Sequence, residues 1–318
     1  MSFILYKNPE DERLFYAELK ATDTEKNGRN FIFHSFDNQT EWIFEILDEK
    51  NISKNEILSL KVDLQTENQP NYILSQAEYL DLCQNFIAEL KAKNYEKLIL
   101  SRVKKTPALS PTETFLKLTQ KYPKAFVYLF QYEGTTWLGA TPEQLVKIEN
   151  NKLQTIALAG TKANAENRDW TEKEREEHQF VVDYIASALR DFKPEIGKTF
   201  TIELQNISHL KTNISATLPE NFNTTQITEQ LHPTPAVCGL PKAKSMAFIL
   251  QNEPHERRFY AGFLGFKNAN SADFYVNLRC AELFKDYTLR YVGGGLTAKS
   301  DAQSEWQETE LKSLAIGE

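Results

Sequence analysis

The sequence is poor in residues that staple a chain, break it, or charge it heavily one way. Its three cysteines, Cys83, Cys238 and Cys280, are odd in number, far apart and outside any CxxC spacing. That excludes a disulfide framework and a zinc knuckle. Twelve glycines and twelve prolines in 318 residues are too few for a linker-rich or disordered protein. No basic stripe dominates any region and the formal charge is −7, which argues against a general nucleic-acid binder. No apolar run approaches the length of a membrane span. The opening MSFILYKNPEDE lacks the basic n-region and long apolar core of a signal peptide. Repeats and low-complexity tracts are absent. What remains, 41% apolar and 25% charged residues, is the balance of a globular protein with a sizeable core. The expectation is a soluble, cytoplasmic protein that engages neither nucleic acid nor membrane. With no heptad stretch demanding a partner, it is expected to be a monomer.

Residues 1–74 mix short aromatic runs with polar turns and carry no usable motif. From Ser75 the pattern sharpens. SQAE is a capping box, and Tyr79, Leu80, Cys83, Phe86, Ile87 and Leu90 recur at helical spacing. KLILSRV (97–103) reads as a strand, and SPTE (110–113) opens a second helix with Pro111 at its tolerated first position. AFVYLFQ, TTWLGA, QLVKIE and KLQTIALAG read as successive strands, with Asn150-Asn151 as a hairpin turn. Thr171 begins another capping box, TEKE, leading to the apolar stripe Val181, Val182, Ile185 and Leu189. KTFTIELQ and SHLKTNISATL are further strands, PKAKSMAFILQNE a helix, and RRFYAGFLGF, ADFYVNLRCAELF and YTLRYVGGGL a closing meander before a terminal helix. Strand runs joined by hairpins, with helices interspersed, predict an α+β fold of large antiparallel sheets packed as a sandwich with flanking helices.

Near the C-terminus GGGLTAKS (293–300) almost spells a phosphate-binding loop, but Ala298 replaces its second glycine. The surroundings read antiparallel, and no strand follows to supply a metal-binding aspartate, so the nucleotide reading fails on context. Glycine amides before a helix still favour some anion. In the helix that follows, Glu305, Glu308 and Lys312 share one face. Taken alone, that face reads as solvated, with one Glu308–Lys312 pair. Glu174 and Glu177 form a second acidic pair whose helix turns its apolar stripe the same way. Two such pairs facing each other would suit Mg²⁺.

KLILSR, GATPEQLV, IALAGTKA, EREEHQFVVDYI, SHLKTNI, LHPTPAVCGLPK, FYAGFLGF, VNLRCAEL and VGGGLTAKSDAQSEWQETELK follow in this order. The ordered set, over roughly residues 75–314, resembles the chorismate-utilising enzymes, and within them the isochorismate synthases. The resemblance implies the chorismate-binding fold of anthranilate synthase component I, with 75–318 as catalytic domain and 1–74 as a variable part of the same unit. It also implies a dianionic substrate and an isomerase reaction, in which water adds at C2, the C4 hydroxyl leaves and the double bonds migrate. Such a step needs a base, an acid and neutralisation of two carboxylates.

The same resemblance implies the roles. Lys97 corresponds to the lysine that activates water, although on residues alone it is an exposed lysine opening an edge strand. Its role predicts a pKa lowered by partial burial and nearby cations. Glu143 corresponds to the general acid, with a raised pKa. Glu177 and Glu305 correspond to the principal Mg²⁺ carboxylates, supported by Glu174 and Glu308. Lys312 and the backbone at Gly160-Thr161 correspond to groups around the ring carboxylate, over which Gly293, Gly294 and Gly295 would close. Arg279 and Tyr260 correspond to the pair that holds the enolpyruvyl carboxylate, and His232 to an orienting pocket histidine. Ala159 stands where aminodeoxychorismate synthases carry a nucleophilic lysine, which argues against that activity. No glutamine amidotransferase segment or partner is expected. Isochorismate synthase is therefore the reading, with salicylate synthase and a catalytically silent binding protein as alternatives. Service to menaquinone or to siderophore synthesis is left open.

Overall fold

The computed structural model describes residues 2–66, 71–164, 168–204 and 207–317. Among these residues seventeen strands form one hydrogen-bonded network, which resolves into two antiparallel sheets sharing a strand. Glu41–Asn51 pairs with Phe15–Thr22 on one edge and with Asn30–His34 on the other. From Phe15–Thr22 the first sheet runs through Phe3–Lys7, Phe126–Tyr132, Thr135–Thr141, Cys280–Leu283 and Tyr287–Leu296 to Lys97–Pro107. From Asn30–His34 the second runs through Phe263–Asn268, Ser271–Val276, Gln144–Glu149 and Lys152–Ala163 to Ile207–Thr217. The expected antiparallel sandwich with flanking helices is what the chain builds.

The run AFVYLFQ shows how the layers close. Phe126, Tyr128 and Phe130 point into the sandwich, where Phe126 meets Phe266 and Tyr275, and Phe130 meets Phe31 and Phe33. The alternate residues Val127 and Leu129 face outward against Phe115 and Leu118 of the helix Pro111–Lys121. Both faces are buried, so the segment reads as continuous apolar sequence rather than alternation. Edge-to-face pairs such as Phe33–Trp137, with centroids 6.1 Å apart, add roughly 0.5–1.5 kcal/mol each beyond area burial.

Local signals hold where they were strongest. Ser75 and Thr171 form complete capping boxes on the helices Gln76–Lys91 and Glu172–Ala188. Asn150 and Asn151 both adopt left-handed φ, 51° and 60°, as a two-residue hairpin turn requires. Two helices escaped the reading: Lys54–Ser59, capped by Ser53, and Thr224–Leu231, capped by Asn223. The first 74 residues are not an appendage. Phe3–Lys7 lies between two strands of the first sheet, and Asn30–His34 pairs with Phe263–Asn268 in the second. No described helix is long and apolar enough to cross a membrane.

Candidate active site

One strand pair forms the floor of a cleft. Lys97–Pro107 lies against Tyr287–Leu296 with Ile99 opposite Gly295, Leu100 opposite Gly294 and Ser101 opposite Gly293. The three glycines thus sit in a strand, and the anion loop expected of them does not form. None has a left-handed φ; what they supply is space. A Cβ on Gly293 would lie 2.9 Å from the Tyr260 hydroxyl, one on Gly294 3.2 Å from Glu305 Oε2, and one on Gly295 2.2 Å from Glu177 Oε1. Each missing methyl therefore admits a functional group to the floor.

Lys97 opens its strand but is neither at an edge nor exposed. The short strand Gly239–Leu240 pairs with Lys97 and Leu98 on the side away from Tyr287–Leu296, and Lys97 is 1% exposed. Gly239 makes that flank possible: its φ is 128°, and a Cβ there would sit 2.3 Å from the Lys97 carbonyl. The charge beside the Lys97 ammonium is a carboxylate, Glu177 Oε1 at 3.1 Å, not the cations expected from sequence. Glu143 follows Pro142 at the turn between Thr135–Thr141 and Gln144–Glu149 and is 3% exposed. Burial pushes its carboxyl up to about 8, against an opposing pull from the Lys97 charge. At neutral pH it holds a proton it can donate, as a general acid must.

The opposite wall is anion-receptive. Arg279 occupies a left-handed position, φ 47°, and projects into the cleft over the Tyr122 ring at 5.3 Å. No carboxylate pairs with it among the described residues, and burial lowers its pKa. A half-buried guanidinium without a carboxylate counter-charge invites an anionic ligand. Tyr260, also on the cleft, stacks on Tyr291 and has a hydroxyl held in its neutral form by burial. Lys312 donates to the Gly293 carbonyl at 3.0 Å and pairs with Glu308 at 2.7 Å.

A β-bulge shapes the third side. The pairing between Lys152–Ala163 and Ile207–Thr217 slips between His209 and Leu210, leaving Gly160 without a partner. Gly160 has φ 70°, and a Cβ there would touch the Glu174 carbonyl at 3.0 Å. Bulges re-aim backbone groups beside active sites. His209 fixes this one: its Nδ1 lies 3.0 Å from the Gly160 carbonyl and 3.2 Å from Thr161 Oγ1. Burial, then Arg279 and Lys312, lower its pKa to about 3, so a neutral imidazole lines the cleft between two cations. Sequence reasoning missed His209. Within SHLKTNI nothing distinguishes it from an ordinary strand residue, because its meaning comes from a bulge in the facing strand.

The acids divide. Glu177 and Glu308 line the cleft. Glu305 lies behind Gly294 at 2% exposure, bound to Lys173 through Oε1 at 2.9 Å, while its Oε2 has no partner. Burial and then the Glu308 charge raise its pKa. Glu174 turns away, accepting bonds from Arg168 and closing the Thr171 capping box. His232 is also elsewhere: it is buried beside His34 and Phe263 in a separate pocket. That placement does not support a role against the substrate. Glu177, Glu308 and the orphaned Glu305 Oε2 are the hard oxygen donors that Mg²⁺ takes. Among the described residues no three ligands yet converge on one point; each of the three acids faces a lysine.

The profile of the family described as "Chorismate binding enzyme" matches residues 17–317. The chain belongs to that family. Among chorismate-binding enzymes, it is 31% identical over 248 residues to the "Salicylate biosynthesis isochorismate synthase" of Pseudomonas aeruginosa, covering 73% of this chain and 52% of that protein. It is 28% identical over 256 residues to the isochorismate synthase MenF of Bacillus subtilis, covering 75% and 54%. The chain thus spans about half the length of these curated relatives. In fold it matches the menaquinone-specific isochorismate synthase MenF from Escherichia coli with a TM-score of 0.83, at 19% identity over 99% of this chain and 87% of that one. Anthranilate synthase component I from Streptococcus pneumoniae matches at 0.74, with 18% identity over 98% and 91%.

Proposed function

We propose that the protein is an isochorismate synthase, an isomerase converting chorismate to isochorismate. One observation carries the reading: a buried lysine, Lys97, and a buried glutamic acid, Glu143, border the same anion-receptive cleft. Lys97, once neutral, takes a proton from water as its oxygen bonds to C2. The double bonds shift, and the C4–O bond breaks as Glu143 gives its proton to the departing hydroxyl. Water enters and water leaves, so the net reaction is isomerisation. Arg279 and Tyr260 hold the enolpyruvyl carboxylate. Lys312 and the backbone at Gly160-Thr161 lie around the ring carboxylate, with His209 holding that backbone in place.

Mg²⁺ fits the donor set, with Glu177 and Glu308 as the ligands nearest the cleft and Glu305 behind them. Bound there, the ion would neutralise charge on the ring carboxylate. Because Lys97 and Lys312 hold those same carboxylates, loading the metal site means exchanging a lysine for the ion.

The test is incubation with chorismate and Mg²⁺, with products separated by chromatography. Isochorismate alone is expected. Salicylate with pyruvate would make the protein a salicylate synthase, and binding without turnover would make it a silent relative.

A further inference from the structure

Behind the cleft floor lies a charge cluster with no place in the chemistry above. Glu253 caps the C-terminus of the helix Lys242–Asn252, and Arg257 lies four residues further on, outside the helix. Both are buried. The guanidinium forks onto the carboxylate through Nε and Nη2, at 2.7 Å each. Its remaining reach goes to main chain: Nη1 donates to the Val237 carbonyl at 2.8 Å and Nη2 to the Ile99 carbonyl at 3.0 Å. Glu253 in turn accepts from the Ser101 backbone N–H at 2.7 Å and from its hydroxyl at 3.0 Å. Burial alone would raise the Glu253 carboxyl, but Arg257 and these bonds outweigh it and hold it below the usual range.

Buried ion pairs seldom improve on apolar packing for stability, so what this one touches matters more than its charge. Ile99 and Val237 both line the cleft, and Ile99 is two residues along the strand from Lys97. The segment carrying Val237 is zipped to the Lys97 strand by a short ladder: Gly239 against Leu98, Leu240 against Lys97, and the Ile99 N–H on the Cys238 carbonyl. A strand of two residues has little power to hold register. Arg257 grips both chains where that ladder ends, and a planar five-donor fork fixes angles as well as distances.

We propose that Arg257, seated on Glu253, is a positioning residue for Lys97: it locks the strand that carries the base against the Val237 wall. The proposal rests on the isochorismate synthase reading, which wild-type product analysis tests separately.

Arg257→Lys is the decisive variant. Lysine keeps a positive charge for Glu253 but has no fork to reach both carbonyls. With folding checked by circular dichroism and Tm, kcat is expected to fall at least tenfold and its pH dependence to shift. KM for chorismate should stay within twofold, because Arg279 and Tyr260 are untouched. A folded variant with kcat within twofold of wild type would overturn the proposal. So would parallel losses in kcat, KM and Tm with an unchanged pH profile. Should Arg257→Lys not fold, Glu253→Gln decides: it loosens the seat of the guanidinium and is expected to lower kcat at least threefold and shift its pH profile while KM stays within twofold. A folded Glu253→Gln variant with wild-type kcat and pH profile would refute the clamp.

Discussion

The Lys97 ammonium and the Glu177 carboxylate face each other at 3.1 Å across the space that a side chain on Gly295 would fill. A Cβ at that position would also come within 3.0 Å of Lys97 Cε. Gly295→Ala must therefore push both groups aside. Misplacing a catalytic group by about 1 Å can cost about a hundredfold, and kcat is expected to drop by that order with little change in Tm. Recovery of more than a tenth of wild-type turnover would mean that the pair does not act where it stands.

Glu143 makes a prediction about pH. Its carboxyl sits at about 8 in the folded protein against an ordinary 4.5. The folded state thus keeps a proton that the unfolded chain releases. The stability this provides is full below about pH 4.5 and is lost as pH rises through about 8, at up to roughly 1.4 kcal/mol per pH unit. Glu143→Gln should flatten this fall in a Tm-versus-pH series and reduce kcat by about 10² to 10⁴. An unchanged slope in the glutamine variant would remove Glu143 as its source.

Arg279 should show a conflict between function and stability. It is a half-buried cation without a carboxylate partner among the described residues, so removing it relieves part of a desolvation cost. Arg279→Gln is expected to raise KM for chorismate at least tenfold while leaving Tm equal or higher. A marked loss of Tm with KM intact would instead make Arg279 a structural residue held by Tyr122.

How much was legible in advance depended on range. The Ser75 and Thr171 capping boxes each span four residues, and the sequence displays them whole. On its own residues Lys97 reads as exposed, because its burial depends on Gly239–Leu240 and Tyr287–Leu296 closing on either side of its strand; only the family resemblance implies partial burial. Nothing within KLILSR announces either neighbour. The glycines of GGG suggested a loop because glycine usually marks freedom of φ; here it marks room for side chains contributed by distant segments. Glu174 and Glu177 looked equivalent by spacing, yet the capping box takes the first and the cleft takes the second.

For the metal, calorimetric titration of Mg²⁺ without substrate separates binding from turnover. Glu308→Gln and Glu177→Gln should each weaken the ion at least tenfold. Glu174→Gln should leave affinity within threefold and lower Tm, since its carboxylate serves Arg168 and the helix cap. Equal losses in all three would return Glu174 to the ligand set.

The strand Glu41–Asn51, shared by both sheets, also bears on how the molecule is made. Its neighbour Asn30–His34 finds its other partner only at Phe263–Asn268, so a nascent chain carries an unmatched edge through most of its synthesis. Pairings so distant along the chain make for slow folding, and an open apolar edge is a site of mispairing while it waits. Yield of the protein in a cell should therefore respond more to chaperone supply and to translation rate than its finished stability would suggest.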